Sequence, residues 1–437
     1  MPKKKIIHPI TVDHIARIEG KAGIEVILDG KKVDVVNVNV FEGPRFFEAI
    51  SVGKHVEEAV AVFPRVCSFC AAAHKITPVL AAENAMGLEP SEQTMKMREL
   101  LYIGDFIQSH TLHLFFLALP DFLGFPDVFS MQGAHKDILN AAIALKDMGA
   151  HIQTVIGSRA IHQENALIGG FGKIPPKKSW ELMRQKLKSL HGVAEEALEQ
   201  FVGFSLWPEV EAERVHLALK PIDGTYTMFG DTILASDGSK FKAKAYQMRI
   251  SETVVPHSFA KHGAYNNQPF MTGALSRFTL FNDGLSKRAK LLARTYEEYL
   301  DANNPLSNNL AQAIELVHYI HRAEIIADEL ASSIKPNERR VELEITKAAT
   351  GVCVTEAPRG LLAYTLKIGK NGIIRAANII TPTAMYLPMM EADLRRMVEG
   401  LLEQGITDSN AIAQKLETVV RSYDPCVSCS VHVAQVK

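Results

Sequence analysis

The chain has 437 residues, 47% of them hydrophobic and 22% charged, with a net charge of −1. That balance belongs to a folded globular protein and excludes a disordered one. Near-neutrality gives no hold on nucleic acid or an anionic membrane surface, and the length alone suggests roughly two to four domains.

The start, "MPKKKIIHPITVDH", is basic but has no apolar run, so no secretory signal is expected and the chain is expected to stay inside the cell. Residues 23–40 alternate in polarity and turn at Asp29-Gly30, which predicts a hairpin. Thr77 and Pro78 predict the N-cap and first position of a helix that ends before Gly87. Residues 91–119 read as one long helix, capped by Ser91 and stopped by Pro120. Its end holds the longest greasy run, "TLHLFFLALPDFLGF", which Pro120 and Asp121 cut. That run falls short of the roughly 20 apolar residues of a membrane span. Helical patterns recur over about 131–159, 178–203, 286–302 and 307–332.

Near 341 the period changes. "VELEI", "GVCVTE" and "LLAYTLKIGKNGIIRAANII" predict strands, the last with a turn at 369–372, and helices follow around 388–402 and 408–421. No repeat, low-complexity tract or linker interrupts the chain. The expected fold class is α+β: a mainly helical single large domain, residues 1–437, with small β-sheets formed from the N- and C-terminal regions. Within it we expect an N-terminal β region at about 10–50, a helical body at about 90–335 and a C-terminal β/α region at about 340–432.

Five cysteines are too few, and odd in number, for a disulfide framework. Cys353 stands alone in an apolar stretch and reads as a buried small hydrophobe. The other four form two C-x-x-C pairs, in "RVCSFCAAAHK" at 65–75 and "DPCVSCSVH" at 424–432. One turn puts both sulfurs of a pair on the same side of a small ion, and thiolates select soft or borderline metals. The spacing leaves open a catalytic metal centre, a structural zinc, an iron–sulfur cluster or a redox-active pair. Structural zinc usually draws its ligands from a short segment, whereas these pairs lie at opposite ends of the chain. Each pair has a histidine close behind it, His74 and His432. "RIEG" at 17–20 sets Glu19 near Arg17, where a salt bridge is the plain reading, and "EAPRG" at 356–360 sets Arg359 after a proline.

Taken together, the R-x-C-x-x-C, the D-P-C-x-x-C-x-x-H, "RIEG" and "EAPRG", in that family's order, resemble the large subunit of nickel–iron hydrogenases over about residues 10–432. "GPRFFEAI", "GSRAIHQENALIGGFGK", "HSFAKH" and "NNLAQAIE" resemble more narrowly the alpha subunit of cytoplasmic NADP-linked hydrogenases, the sulfhydrogenases. The resemblance implies that Cys67, Cys70, Cys426 and Cys429 bind nickel, with Cys70 and Cys429 bridging to an iron that carries carbonyl and cyanide. Arg359 would lie over the open metal position with Asp424 nearby, and Pro382 and Thr383 would line the diatomic ligands. Glu19 would take protons from Cys426, and His74 would give an N–H to a bridging sulfur. Glu48, the carbonyl of Ile379 and His432 would hold a separate Mg²⁺ or Fe²⁺.

The chemistry of the residues agrees. Heterolysis of dihydrogen needs a Lewis-acidic metal and a base, and a guanidinium fixes charge without competing for the proton. Two departures stand out: Ser109 occupies a position where many relatives carry aspartate, and only "VAQVK" follows His432, where the family's chains are typically cut to remove a longer tail.

One remaining cysteine cannot hold an iron–sulfur cluster, and no G-x-G-x-x-G follows a strand, so no cluster, flavin or nicotinamide site is expected in this chain. The resemblance implies as partners a small (delta) subunit with iron–sulfur clusters, an iron–sulfur beta subunit, a gamma subunit with FAD and NADP(H), and a maturation protease. The activity implied is reversible splitting of H₂, with electrons going to NADP(H) and to sulfur or polysulfide. The rival is a non-enzymatic structural or assembly protein with a four-cysteine zinc site.

Overall fold

The structure, a computed structural model, describes residues 7–30, 32–203 and 207–431. The expected hairpin forms from strands Ala22–Asp29 and Lys32–Val40. Strand Ile7–Val12 adds to its free edge, pairing with Ala22–Asp29. Val33, Val36, Val38 and Val40 turn inward and share one apolar cluster with helices Pro382–Glu403 and Ser409–Ser422. The chain's two end regions are therefore built into a common core, and burial of this apolar face is what holds them there.

The C-terminal sheet is antiparallel, with strands Ala349–Ala357, Gly360–Ile368 and Ile374–Ile380 in sequence order. "VELEI" does not become a strand. Val341 donates one hydrogen bond to Gly169, and no ladder extends from it.

The α+β, mainly helical class holds, but sheets also form mid-chain, inside the stretch read as helical body. Strands Leu217–Pro221, Gly230–Ala235 and Lys240–Lys242 form one sheet, and Ile250–Thr253 pairs with His262–Tyr265. Strands this short give a period of two too few repeats to stand out from loop.

Two helix boundaries also move. Helix Ala73–Met86 starts before Thr77-Pro78 and carries Pro78 inside it, while Gly87 closes it as expected. Its first turn is served from elsewhere, because Asp105 accepts N–H bonds from Ala72 and Ala73 at 3.4 and 3.1 Å. The long helix runs as Glu92–Thr111, passes through a π-helical stretch Leu112–Ala118, and continues past Pro120 as Leu119–Leu123. A wider turn is a way to accommodate a proline, whose ring otherwise collides with the carbonyl four residues back. Ser91 caps the start, accepting from Thr94 N–H at 3.0 Å. The 178–203 pattern splits into Lys177–Ser189, His191–Leu198 and a 3-10 turn Glu199–Phe201. The 286–302 pattern gives Lys287–Thr295 and a 3-10 turn Glu297–Tyr299. The 307–332 pattern gives Ser307–Ser333, and the 131–159 pattern gives Lys136–Gly157.

Helices Ala73–Met86 and Glu92–Thr111 are tied by a buried ion pair. Arg98 donates to both oxygens of Glu83 at 2.6 and 2.7 Å, and Glu83 also accepts from the Gly169 N–H. Removing one partner strands the other charge, which costs about 3–5 kcal/mol. Arg98→Met is expected to lower the thermal midpoint by several degrees, measured by circular dichroism, and an unchanged midpoint would contradict the pairing.

Candidate metal centre

The site begins where the two ends meet. Glu19 and Cys426 form an isolated parallel bridge, and Val427 N–H donates to the Glu19 carbonyl at 3.0 Å. Gly20 allows this docking. Its φ is +87°, and a Cβ there would sit 2.6 Å from Val427 Cγ2 and 2.8 Å from Ser428 N. On the other side, Cys67 follows a 3-10 turn Phe63–Val66, and Cys70 N–H points at Cys67 Sγ at 3.3 Å.

One donor atom from each of Cys67, Cys70, Cys426 and Cys429 falls within 4.8 Å of the others, and all four residues are buried. Cys67 Sγ is 3.2 Å from Cys426 Sγ, and Cys70 Sγ is 3.9 Å from Cys429 Sγ. Cys426 and Cys429 are joined as a disulfide in this structure, while Cys67 and Cys70 are free thiols. Binding by all four requires the joined pair as thiolates. Burial, then Cys67, pushes the Cys70 thiol well up, so its proton has to be displaced by a cation. Four soft donors facing one another in pairs, closed off from water, fit a soft or borderline metal, which the nickel–iron centre implied by the resemblance requires. Cys353, by contrast, is only partly buried and stays out of the cluster.

Arg359 is buried against this cluster. It donates through Nε to the Asp424 carbonyl at 2.7 Å, through Nη2 to Asp424 Oδ1 at 2.8 Å and through Nη1 to Ser109 Oγ at 3.1 Å. Its guanidinium lies 5.6 Å from the Phe69 ring centre. Burial alone would lower its pKa, but Asp424 and the cysteine sulfurs outweigh this and the net shift is upward. Ser109 thus supplies a neutral oxygen and Asp424 the carboxylate. Gln312 donates to the second Asp424 oxygen at 3.0 Å.

Thr383 Oγ1 accepts from Cys426 N–H at 3.0 Å and lies 3.0 Å from the Tyr386 hydroxyl, one residue after Pro382 opens its helix. Glu19 Oε2 lies 3.0 Å from Cys426 Sγ and accepts from Ser428 N–H at 3.2 Å, while Oε1 accepts from the Ser428 hydroxyl. Arg17 does not pair with Glu19. It is committed to Asp121 and to the Leu117 carbonyl, so the salt-bridge reading of "RIEG" is overturned. His74 Nδ1 is 2.7 Å from the Tyr364 hydroxyl. Glu48 and Ile379 do meet, through the Ile379 N–H donating to Glu48 Oε1 at 2.7 Å. Burial, the leading cause, raises the Glu48 pKa. His432 and the tail lie outside the described residues.

Three supporting residues escaped the sequence reading. Asp105 holds the backbone just after Cys70, and burial pushes its carboxyl up to about 7. Tyr364 reaches His74 from the central strand of the C-terminal sheet. Arg277 donates to the Ala357 and Pro358 carbonyls at 3.0 and 2.9 Å, and to Glu315 and Glu356, fixing the turn that presents Arg359. Each stands outside the cysteine motifs, and only the pairing of distant segments gives it a role.

The family model for nickel-dependent hydrogenases matches residues 45–144 and 181–432. The chain belongs to that family. It is 48% identical over 434 residues to sulfhydrogenase 1 subunit alpha of Pyrococcus furiosus, covering 99% of this chain and 100% of the relative. It is 33% identical to sulfhydrogenase 2 subunit alpha of the same organism, covering 97% and 98%. Among solved structures, an NAD⁺-reducing [NiFe]-hydrogenase in the H₂-reduced state superposes with a TM-score of 0.89 over 97% of this chain and 99% of that one, at 23% identity, which establishes the fold. No helix among the described residues is long and apolar enough to cross a membrane.

Gly20→Ala is expected to displace the 426–429 turn from Cys67 and Cys70. Nickel retained per chain should fall by about tenfold or more, measured by elemental analysis, and full occupancy in the variant would contradict the docking argument.

Proposed function

We propose that this chain is the hydrogen-activating subunit of a multi-subunit [NiFe] hydrogenase of the sulfhydrogenase type. The observation that carries the reading is the Glu19 carboxylate 3.0 Å from Cys426 Sγ, beside a buried four-sulfur cluster faced by Arg359. A structural tetrathiolate zinc site has no use for either the carboxylate or the arginine.

The four cysteines would hold nickel, with Cys70 and Cys429 shared with an iron carrying carbonyl and cyanide near Pro382, Thr383 and Arg359. Such a centre, when bound, supplies the Lewis acidity that polarises and splits dihydrogen. The chain's own residues do the rest. Cys426 Sγ takes the proton as base, and Glu19 Oε2 receives it and passes it on. Arg359, locked by Asp424 and Ser109, would set a fixed positive charge beside the bound centre without giving up a proton. His74 would orient a bridging sulfur, held in turn by Tyr364. Glu48, the Ile379 carbonyl and His432 would bind Mg²⁺ or Fe²⁺. Electrons would leave through a delta subunit and a beta subunit with iron–sulfur clusters to a gamma subunit with FAD and NADP(H), with sulfur or polysulfide as a further acceptor. The assembly would work in the cytoplasm after a protease removes the residues beyond His432.

Elemental analysis and infrared spectroscopy of the purified complex test the centre. About one nickel and one iron per chain, with carbonyl and cyanide bands, are expected, and zinc without those bands would overturn the reading. Glu19→Gln keeps shape but carries no proton. H/D exchange with solvent should drop by about 10²-fold or more while metals and infrared bands persist; full exchange in a metal-replete variant would eliminate the relay. Arg359→Lys keeps charge but loses the fork to Asp424 and Ser109. Turnover per nickel should fall about tenfold or more with metals retained, and an unchanged rate would leave the arginine a structural role only.

A further inference from the structure

Away from the cysteines, a second group of donor atoms converges, and no role implied by the resemblance or by the proposed function falls on it. His257, His262 and Glu391 each place one ligand atom within 4.8 Å of the other two. His257 comes from the loop 254–261, His262 opens strand His262–Tyr265, and Glu391 projects from helix Pro382–Glu403. His257 Nε2 is 2.9 Å from Glu391 Oε1, His262 Nδ1 is 3.7 Å from Glu391 Oε2, and the imidazole centres are 5.2 Å apart.

We propose that His257, His262 and Glu391 bind one divalent d-block cation of the zinc class, distinct from the four-cysteine centre, which pins the 254–261 loop to the helix behind it.

The plain alternative is an ion pair. It accounts for His257 and Glu391 but leaves His262 unexplained. That side chain is only 9% exposed, its Nδ1 is beyond hydrogen-bonding range of Glu391, and its buried Nε2 has no partner among the described residues. A cation held at Nδ1, the nitrogen that faces Glu391, would offset part of the desolvation cost of this buried imidazole, with Nε2 keeping its N–H. The separations also suit coordination. Ligand bonds of about 2.0–2.2 Å put neighbouring donors of a tetrahedral site roughly 3.4 Å apart, between the 2.9 and 3.7 Å seen here.

The donors are held ready. Glu391 Oε1 is fixed by the Val38 N–H at 2.8 Å, leaving Oε2 turned toward His262. Phe259 N–H donates to the Val40 carbonyl at 2.9 Å and anchors the loop. Lys261, the nearest cation in sequence, is turned to Glu252 at 3.2 Å and does not compete. Two imidazoles and one carboxylate select a borderline metal such as Zn²⁺, not Mg²⁺ or Ca²⁺, which take oxygen, and not a thiophile. Three protein ligands leave one position, which water fills from the partly exposed side.

Co²⁺ added to the purified, nickel-loaded full-length protein reports ligand type. One equivalent should bind, giving visible ligand-field bands without thiolate charge-transfer absorption, and Zn²⁺ should displace it. His257→Gln, on a loop, and His262→Gln, in the strand, should each weaken binding about tenfold or more. The loop variant gives a result even if the strand variant does not fold. Hydrogen turnover is not the readout, so failure here is separate from failure of the hydrogenase reading. No added equivalent in the wild-type protein, a thiolate charge-transfer band, or unchanged affinity in His257→Gln would overturn the proposal.

Discussion

Everything at the centre depends on one closure: the turn 426–429 seated on Glu19 and Gly20. The sulfurs it brings together are 359 positions apart in sequence. A flexible loop costs only about 0.6 kcal/mol more for each doubling of its length. Closing this one is therefore about 3 kcal/mol dearer than closing a ten-residue loop. A shared apolar core of the N-terminal hairpin and the two last long helices easily offsets that. The sulfurs themselves contribute little to the meeting, since no covalent bond joins Cys67 or Cys70 to the 426–429 pair. The site is placed by hydrophobic burial elsewhere, and its donors arrive as a by-product of a well-packed interior.

Charge inside the protein follows the same economy. Arg359 sits between a carboxylate and the sulfurs, and behind it Arg277 bonds Glu315 and Glu356 while gripping the two carbonyls that precede Arg359. Buried ion pairs are weak evidence for stability, because desolvation consumes most of the attraction. Their effect here is geometric: each guanidinium is held on several sides, so the fork over the centre has little room to rotate. Ser109 fits that scheme. One carboxylate already balances Arg359, and a second beside it would add negative charge next to the thiolates.

The cysteine pairs, "RIEG" and "EAPRG" were legible because each packs several chemically unusual residues into a few positions. The fold class, the first hairpin and the Ser307–Ser333 helix were legible because their periods run long enough to repeat. What stayed hidden depends on distant partners. Thr77 looked like a cap, yet helix Ala73–Met86 begins earlier because Asp105, on another helix, takes its first N–H groups. Pro120 looked like a stop, and a π-helical stretch carried the chain past it. Arg17 looked like Glu19's counter-ion, but the backbone sends them to opposite neighbours. The mid-chain strands of three to six residues offered no period to read.

The split of donors between positions 67–70 and 426–429 makes the centre a checksum on protein synthesis. A nascent chain still on the ribosome, or one truncated anywhere upstream of the last two cysteines, presents only two of the four donors, Cys67 and Cys70. Two donors hold a metal far more loosely than four, so an incomplete chain releases what it captures. Tight occupancy then certifies that translation finished and that both ends found each other, without any separate inspector of the fold.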